Sequence, residues 1–195
     1  MSYNFFAYIS RMRYIERWSL MRNSLPENIQ EHSHMVAVIA HALGVIRRDI
    51  LGIPCDPGEY AAVALYHDCS EILTGDLPTP IKYHSPEIMD AYKKVEELAC
   101  HKLLATLPKE MQEAFSPLLG GEIHDRCYDL VKAADKLSAY IKCIEERKFG
   151  NREFASAEAQ ARAALANMAL PEVDWFMEHC LPAYEKNLDE LGTMD

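Results

Sequence analysis

Apolar residues in this chain recur mainly at steps of three and four, and no segment of six or more residues alternates apolar with polar cleanly enough to demand a strand. Positions three and four apart share a face only in a helix, so the pattern predicts an all-α fold. In NIQEHSHMVAVIAHALGVI, residues 28–46, the face holding Val36, Ile39, Ala40, Leu43 and Ile46 also holds His32, which therefore points toward the core. His34 and His41 project from other faces. Helices are expected over 3–16, 29–49, 58–73, 86–106, 109–118, 122–148, 152–169 and 172–191. Turn chemistry separates several of them, in GIPCDPG, TGDLPTP, LGG and FGN.

The 195 residues suffice for one domain with a real core, and neither a repeat nor a linker divides them, so 1–195 is expected to be a single helical bundle. No apolar run reaches the roughly eighteen residues that a bilayer span needs. The opening MSYNFFAYISRMRYIERW lacks the layout of a signal peptide, which predicts a soluble, cytoplasmic protein with no membrane partner. Six dispersed cysteines without a CxxC pair are expected to be reduced. A net charge of -10 argues against binding a nucleic-acid polymer, whose phosphates need clustered Lys and Arg, but leaves room for a small anionic substrate.

The stretch ALYHDCSEILTGDLPTP, residues 64–80, places His67, Asp68 and Glu71 in what begins as an apolar helix, with Asp76 in the loop after it. Burying ionisable groups is costly unless something compensates them, and a metal ion is the first candidate. His67 and Glu71 are four apart and Asp68 and Glu71 three apart, which on a helix brings them to one edge. DLVKAADKLSAYIKCIEE, residues 129–146, adds Asp135 with small neighbours. His32, His67, Asp68 and Asp135 together form an H…HD…D set, two imidazoles and two carboxylates that suit Mn, Co, Zn or Mg with positions left for water and substrate. Taken singly, each has a plainer role: His32 as a hydrogen-bonded core residue, Asp135 as a helix-face charge, Asp76 as a turn former, Trp18 as packing. His34, His41, His84, His101, His124 and His179 keep such roles.

The H…HD…D order resembles the HD-domain superfamily of metal-dependent phosphohydrolases, which are all-helical. RWSLMRN at 17–23, NIQEHS at 28–33, YHDCSEILTGDLPTPIKY at 66–83 and KAADKLSAYIKCIEE at 132–146 are similar to the bacterial 5'-deoxynucleotidases of the YfbR type. The resemblance implies one divalent cation on His32, His67, Asp68 and Asp135. It implies that Arg17 orients the phosphate, that Trp18 packs by the deoxyribose and discourages a 2'-hydroxyl, and that Glu71 with Asp76 handles the water and its proton. Asp76, Leu77, Pro78 and Thr79 would hold the substrate, with His32 and Asp68 beside it. The implied reaction is hydrolysis of 2'-deoxyribonucleoside 5'-monophosphates, and the implied assembly is a homodimer. The rival expectations are an HD hydrolase of a cyclic dinucleotide, triphosphate or alarmone, and a non-catalytic nucleotide-binding scaffold.

Overall fold

The computed structural model describes residues 2–82 and 84–192, without the side chains of Thr79 and Pro80. In chain order the helices are α1 (Phe5–Ile9), α2 (Ile29–Val45), α3 (Pro57–Tyr66), α4 (Glu71–Thr74), α5 (Thr79–Lys82), α6 (Pro86–Leu104), α7 (Lys109–Gly120), α8 (Glu122–Lys148), α9 (Ala155–Met168), α10 (Pro171–His179) and α11 (Leu188–Leu191). Among the described residues there is no strand, only an isolated antiparallel bridge between Glu16 and Asn28. The all-α expectation holds.

Local chemistry sets the helix starts. Asn28 and Glu31 form a reciprocal capping box at the head of α2, satisfying two backbone donors that would otherwise lack partners. Asp56 caps α3 ahead of Pro57, and Ser85 caps α6 ahead of Pro86, each proline sitting where no amide donor is needed. The main core lies where α2, α3 and α8 meet: Val36, Ile39, Ala40 and Leu43 pack with Val63, Ala64, Leu130, Ala133, Ala134 and Leu137. Gly44 permits the close approach of α2 to α3, because a Cβ there would lie 2.9 Å from Pro57 Cα. A second core joins the N-terminal segment to α6 and α7 through Phe5, Met12, Ile29, Cys69, Leu103 and Leu119.

Several predicted helices are broken. The 58–73 helix ends at Tyr66; residues 67–70 form turns with Cys69 N–H on the Tyr66 carbonyl (3.0 Å) and Glu71 N–H on the Asp68 carbonyl (3.0 Å). The Ala64 carbonyl, which a continuing helix would give to the amide of Asp68, instead accepts from the His67 ring at 2.7 Å and from the His67 backbone N–H at 3.4 Å. The 3–16 helix becomes 3-10 over Ser10–Tyr14, and the 29–49 helix finishes in a π turn, Ile46–Ile50. The 172–191 helix splits into α10, a 3-10 turn (Leu181–Glu185) and α11, since Pro182 has no amide to continue the ladder and Asn187 caps a fresh start. All six cysteines are free, with Cys69, Cys127 and Cys143 buried and the others half-buried.

The stretch between Trp18 and Pro26 has no regular structure of its own and is fastened from α8. The buried Glu146 carboxylate accepts from the backbone of Ser24 (2.8 Å) and Leu25 (3.3 Å), from Asn151 Nδ2 (2.8 Å) and from Lys142 Nζ, while Lys142 also donates to the Leu25 carbonyl. Burial alone would raise the Glu146 pKa, but the hydrogen bonds from Lys142, Asn151 and Ser24 win and hold it at about 2, below its ordinary 4.5. A depressed carboxyl pKa contributes stability that is present above about 4.5 and lost as pH falls through about 2. Glu146→Gln is therefore expected to cost about 3 kcal/mol at neutral pH, with the deficit shrinking as the pH approaches about 2. Urea midpoints of both proteins across that range check this, and a deficit independent of pH would contradict it.

Candidate metal and phosphate site

His32 is fully buried in the inward face of α2, as the helical period predicts. Its Nδ1 lies 3.2 Å from Ser138 Oγ on α8, one turn beyond Asp135. His67 stands where α3 ends. Because a carbonyl can only accept, the 2.7 Å contact with Ala64 assigns the proton of His67 to Nδ1 and leaves Nε2 as a lone pair facing inward. The Nε2 atoms of both histidines are buried and lack a hydrogen-bond partner. Leaving two such nitrogens unpaired is expensive, so the arrangement needs a purpose.

Carboxylates surround those nitrogens without bonding to them in good geometry. Asp135 Oδ1 is 3.2 Å from His32 Nε2, and Asp68 Oδ2 is 3.1 Å from His67 Nε2 and 3.7 Å from His32 Nε2. One ligand atom each from His32, His67 and Asp135 lies within 4.8 Å of the others, and Asp68 joins them through both imidazoles. Two imidazole nitrogens and two carboxylates gathered this closely are the donor set that a divalent cation would take. Imidazole nitrogen and carboxylate oxygen also match a borderline or hard ion in kind.

The electrostatics agree. Burial disfavours charge on Asp68, but His67 and His32 outweigh it and hold the carboxyl well below its usual range; Asp135 is likewise held down, chiefly by His32. Burial works against a charged His67, yet Asp68 and Asp135 draw its pKa upward. Glu71 is nearly enclosed, with Oε2 unpartnered, and burial followed by the charges of Asp68 and Asp76 pushes it up to about 9. Asp76 is raised for the same first reason, opposed by Arg17. A bound cation reverses this bias, since it is the largest local charge in such a cluster.

Arg17 brings a guanidinium to the edge of the cluster, with Nη1 3.6 Å from Asp68 Oδ2. Trp18 follows at φ 57°, a left-handed backbone rare for a bulky residue, with its ring 5.2 Å from that of Phe154. Leu77 and Pro78 are half-buried in the loop after Asp76, and the Thr79 side chain lies outside the described residues. The structure thus gathers His32, His67, Asp68, Asp135, Arg17, Glu71 and Asp76 into one electrostatic neighbourhood. His67 and Asp68 reach it through a turn, not along the helix edge that their spacing suggested. Two members were missed. Ser138 backs His32, and Glu27 accepts from both Arg17 Nε (3.3 Å) and Trp18 Nε1 (3.0 Å).

The model of the YfbR-like 5'-deoxynucleotidase family matches residues 4–184. The chain belongs to that family. Among its YfbR-like relatives, a 5'-deoxynucleotidase of Vibrio parahaemolyticus is 48% identical over 190 residues, covering 97% of this chain and 98% of the relative. One from Erwinia tasmaniensis is 46% identical over 190 residues, covering 97% and 96%. Solved structures show the same all-α HD fold. An HD-domain phosphohydrolase from Listeria innocua superposes with a TM-score of 0.80 at 24% identity, covering 97% of this chain and 92% of that one. The HD phosphohydrolase of cyanophage S-2L, solved with dA and one catalytic Zn2+ ion, gives 0.65 at 22% identity, covering 93% and 96%.

A cation that enters this cluster stabilises the folded chain by mass action, by about 2.7 kcal/mol at roughly 100 times its Kd. Mn, Co, Zn or Mg is expected to raise the melting temperature of the metal-stripped protein, and Asp135→Asn to lose most of that shift. The absence of a shift with all four ions, or an equal shift in the variant, would rule the cluster out as a metal site.

Proposed function

We propose that this protein hydrolyses 2'-deoxyribonucleoside 5'-monophosphates to deoxynucleoside and inorganic phosphate, selecting against ribonucleotides, with one divalent cation held by His32, His67, Asp68 and Asp135. The observation that carries this reading is the convergence of two unpaired buried imidazole nitrogens and two carboxylates beside a guanidinium. When bound, the cation neutralises charge on the phosphoryl oxygens and makes the attacking water more acidic.

The protein's own groups supply the rest. Arg17, charged at any working pH, presents its terminal nitrogens to the phosphate and fixes its orientation. Glu71, enclosed beside the ligands, takes the proton of the water as its oxygen bonds to phosphorus, and that proton passes to the 5'-oxygen as its bond to phosphorus breaks, giving the 5'-hydroxyl of the deoxynucleoside. Burial first, then the charges of Asp68 and Asp76, raise the pKa of Glu71 and make its carboxylate a stronger base for that proton. His32, Asp68, Leu77, Pro78 and Thr79 line the substrate's path in this reading, and Trp18 stands against the sugar. Arg17 and Lys82 act on both Glu71 and Asp76, with His32 acting on Asp76 as well, and Lys82 pairs with Glu96 at 2.8 Å. That modest positive charge suits a monophosphate better than a triphosphate or a cyclic dinucleotide. A single HD-type domain, a cytoplasmic address and a homodimeric state complete the reading, supported by family membership.

The test is phosphate release from dAMP and AMP by metal-stripped protein and after each cation is restored. Metal-dependent release from dAMP with little from AMP is expected. Glu71→Gln should lower kcat by about 100-fold or more while retaining the cation-induced shift in melting temperature. Release from neither nucleotide with any cation would overturn the proposed reaction, and normal kcat in the Glu71 variant would remove that residue from its role.

A further inference from the structure

We propose that Glu27 is a positioning residue that locks Arg17 and Trp18 into one rigid unit and thereby sets the preference for deoxyribose. The inference rests on the roles given above to Arg17 and Trp18. Glu27 lies in the irregular stretch before α2, and the backbone places it opposite its partners: Arg17 N–H donates to the Glu27 carbonyl at 2.9 Å, next to the Glu16–Asn28 bridge. Its side chain repeats the connection. One oxygen, Oε2, accepts from both Arg17 Nε and Trp18 Nε1, and the other, Oε1, lies 4.0 Å from His32 Nδ1. The Arg17 and Glu27 side chains are 13% and 16% exposed, so these charge-assisted bonds lie largely out of water and hold firmly.

Two consequences follow from sharing that oxygen. Arg17 spends Nε on Glu27, which turns the terminal nitrogens of the guanidinium toward Asp68 and the cation cluster. Trp18 occupies a left-handed backbone that a bulky residue holds only when its surroundings over-determine it. Four contacts do so: the indole N–H on Glu27, the ring on Phe154, and the Trp18 carbonyl accepting from Met21 N–H at 2.8 Å and from Asn23 Nδ2 at 3.4 Å. Of these four, the Glu27 contact is the one that ties the indole to the phosphate anchor. In a nucleotide the phosphate and the 2'-carbon are joined covalently, so a wall fixed relative to the phosphate anchor excludes an added 2'-hydroxyl, whereas a wall free to move accommodates it.

Glu27→Ala, Glu27→Asp, Glu27→Gln and Trp18→Ala, each checked for folding by circular dichroism, would be compared on dAMP and AMP. A glutamine oxygen at the Oε2 position keeps both bonds without the charge, whereas aspartate keeps the charge but is one methylene too short to reach both donors. Expected are a fall of about tenfold in the dAMP to AMP ratio of kcat/KM for Glu27→Ala and Glu27→Asp, carried mainly by KM, and recovery of most of that ratio in Glu27→Gln. The cation-induced melting shift should persist in all four. If Trp18→Ala narrows the ratio while Glu27→Ala and Glu27→Asp leave it unchanged, the positioning role is wrong and the reading of Trp18 stands. A normal ratio in Glu27→Asp with a loss in Glu27→Gln would also overturn it, since charge and not reach would then matter. If Trp18→Ala leaves the ratio unchanged, sugar selection does not pass through Trp18, and the inference falls with that reading.

Discussion

Everything at the centre of this protein depends on holding two buried imidazoles and two carboxylates close together inside a helical bundle. Groups of that kind repel one another or lose hydration when brought together, and the unfolded chain avoids both costs. The bundle holds them because each arrives on a separately packed element: His32 on α2, Asp135 on α8, and the His67–Asp68 pair at the end of α3. The apolar contacts among these three helices make up the main core. Packing and site are thus one construction, and the close approach at Gly44 serves both.

The parts of this arrangement governed by helical period were legible in the sequence. The inward face of α2 was predicted with His32 in it, and α8 runs over the 122–148 range expected of it. The turn at residues 67–70 was not legible, because a side chain competing for a backbone carbonyl leaves no mark in a hydrophobic pattern. The division of the last predicted helix did have a visible sign, Pro182 followed by an asparagine cap, which the spacing of apolar residues outweighed. Glu27 escaped notice for another reason. Its link to Arg17 and Trp18 crosses between two irregular segments, and no periodicity relates residues joined in that way.

The N-terminal segment shows how a site can rely on chain that has little structure of its own. From Trp18 to Leu25 the backbone is held by carboxylates and amides from elsewhere, chiefly Glu146 and Asn151, and by Lys142 on the Leu25 carbonyl. These bonds are worth more than their surface equivalents because Glu146 and Lys142 are buried. They fix the loop that carries Trp18, whose ring packs on the buried Phe154 and stays half-buried.

The contact between His67 and the Ala64 carbonyl ties a residue of the candidate metal site to the end of a helix. The proton that sets the imidazole's tautomer is the same proton that occupies the carbonyl a longer helix would need. The nitrogen that His67 turns inward and the point at which α3 ends are therefore both set at one carbonyl. A chain that carried α3 one turn further would offer that carbonyl to the Asp68 amide, so the orientation of the His67 ring and the end of the helix are coupled.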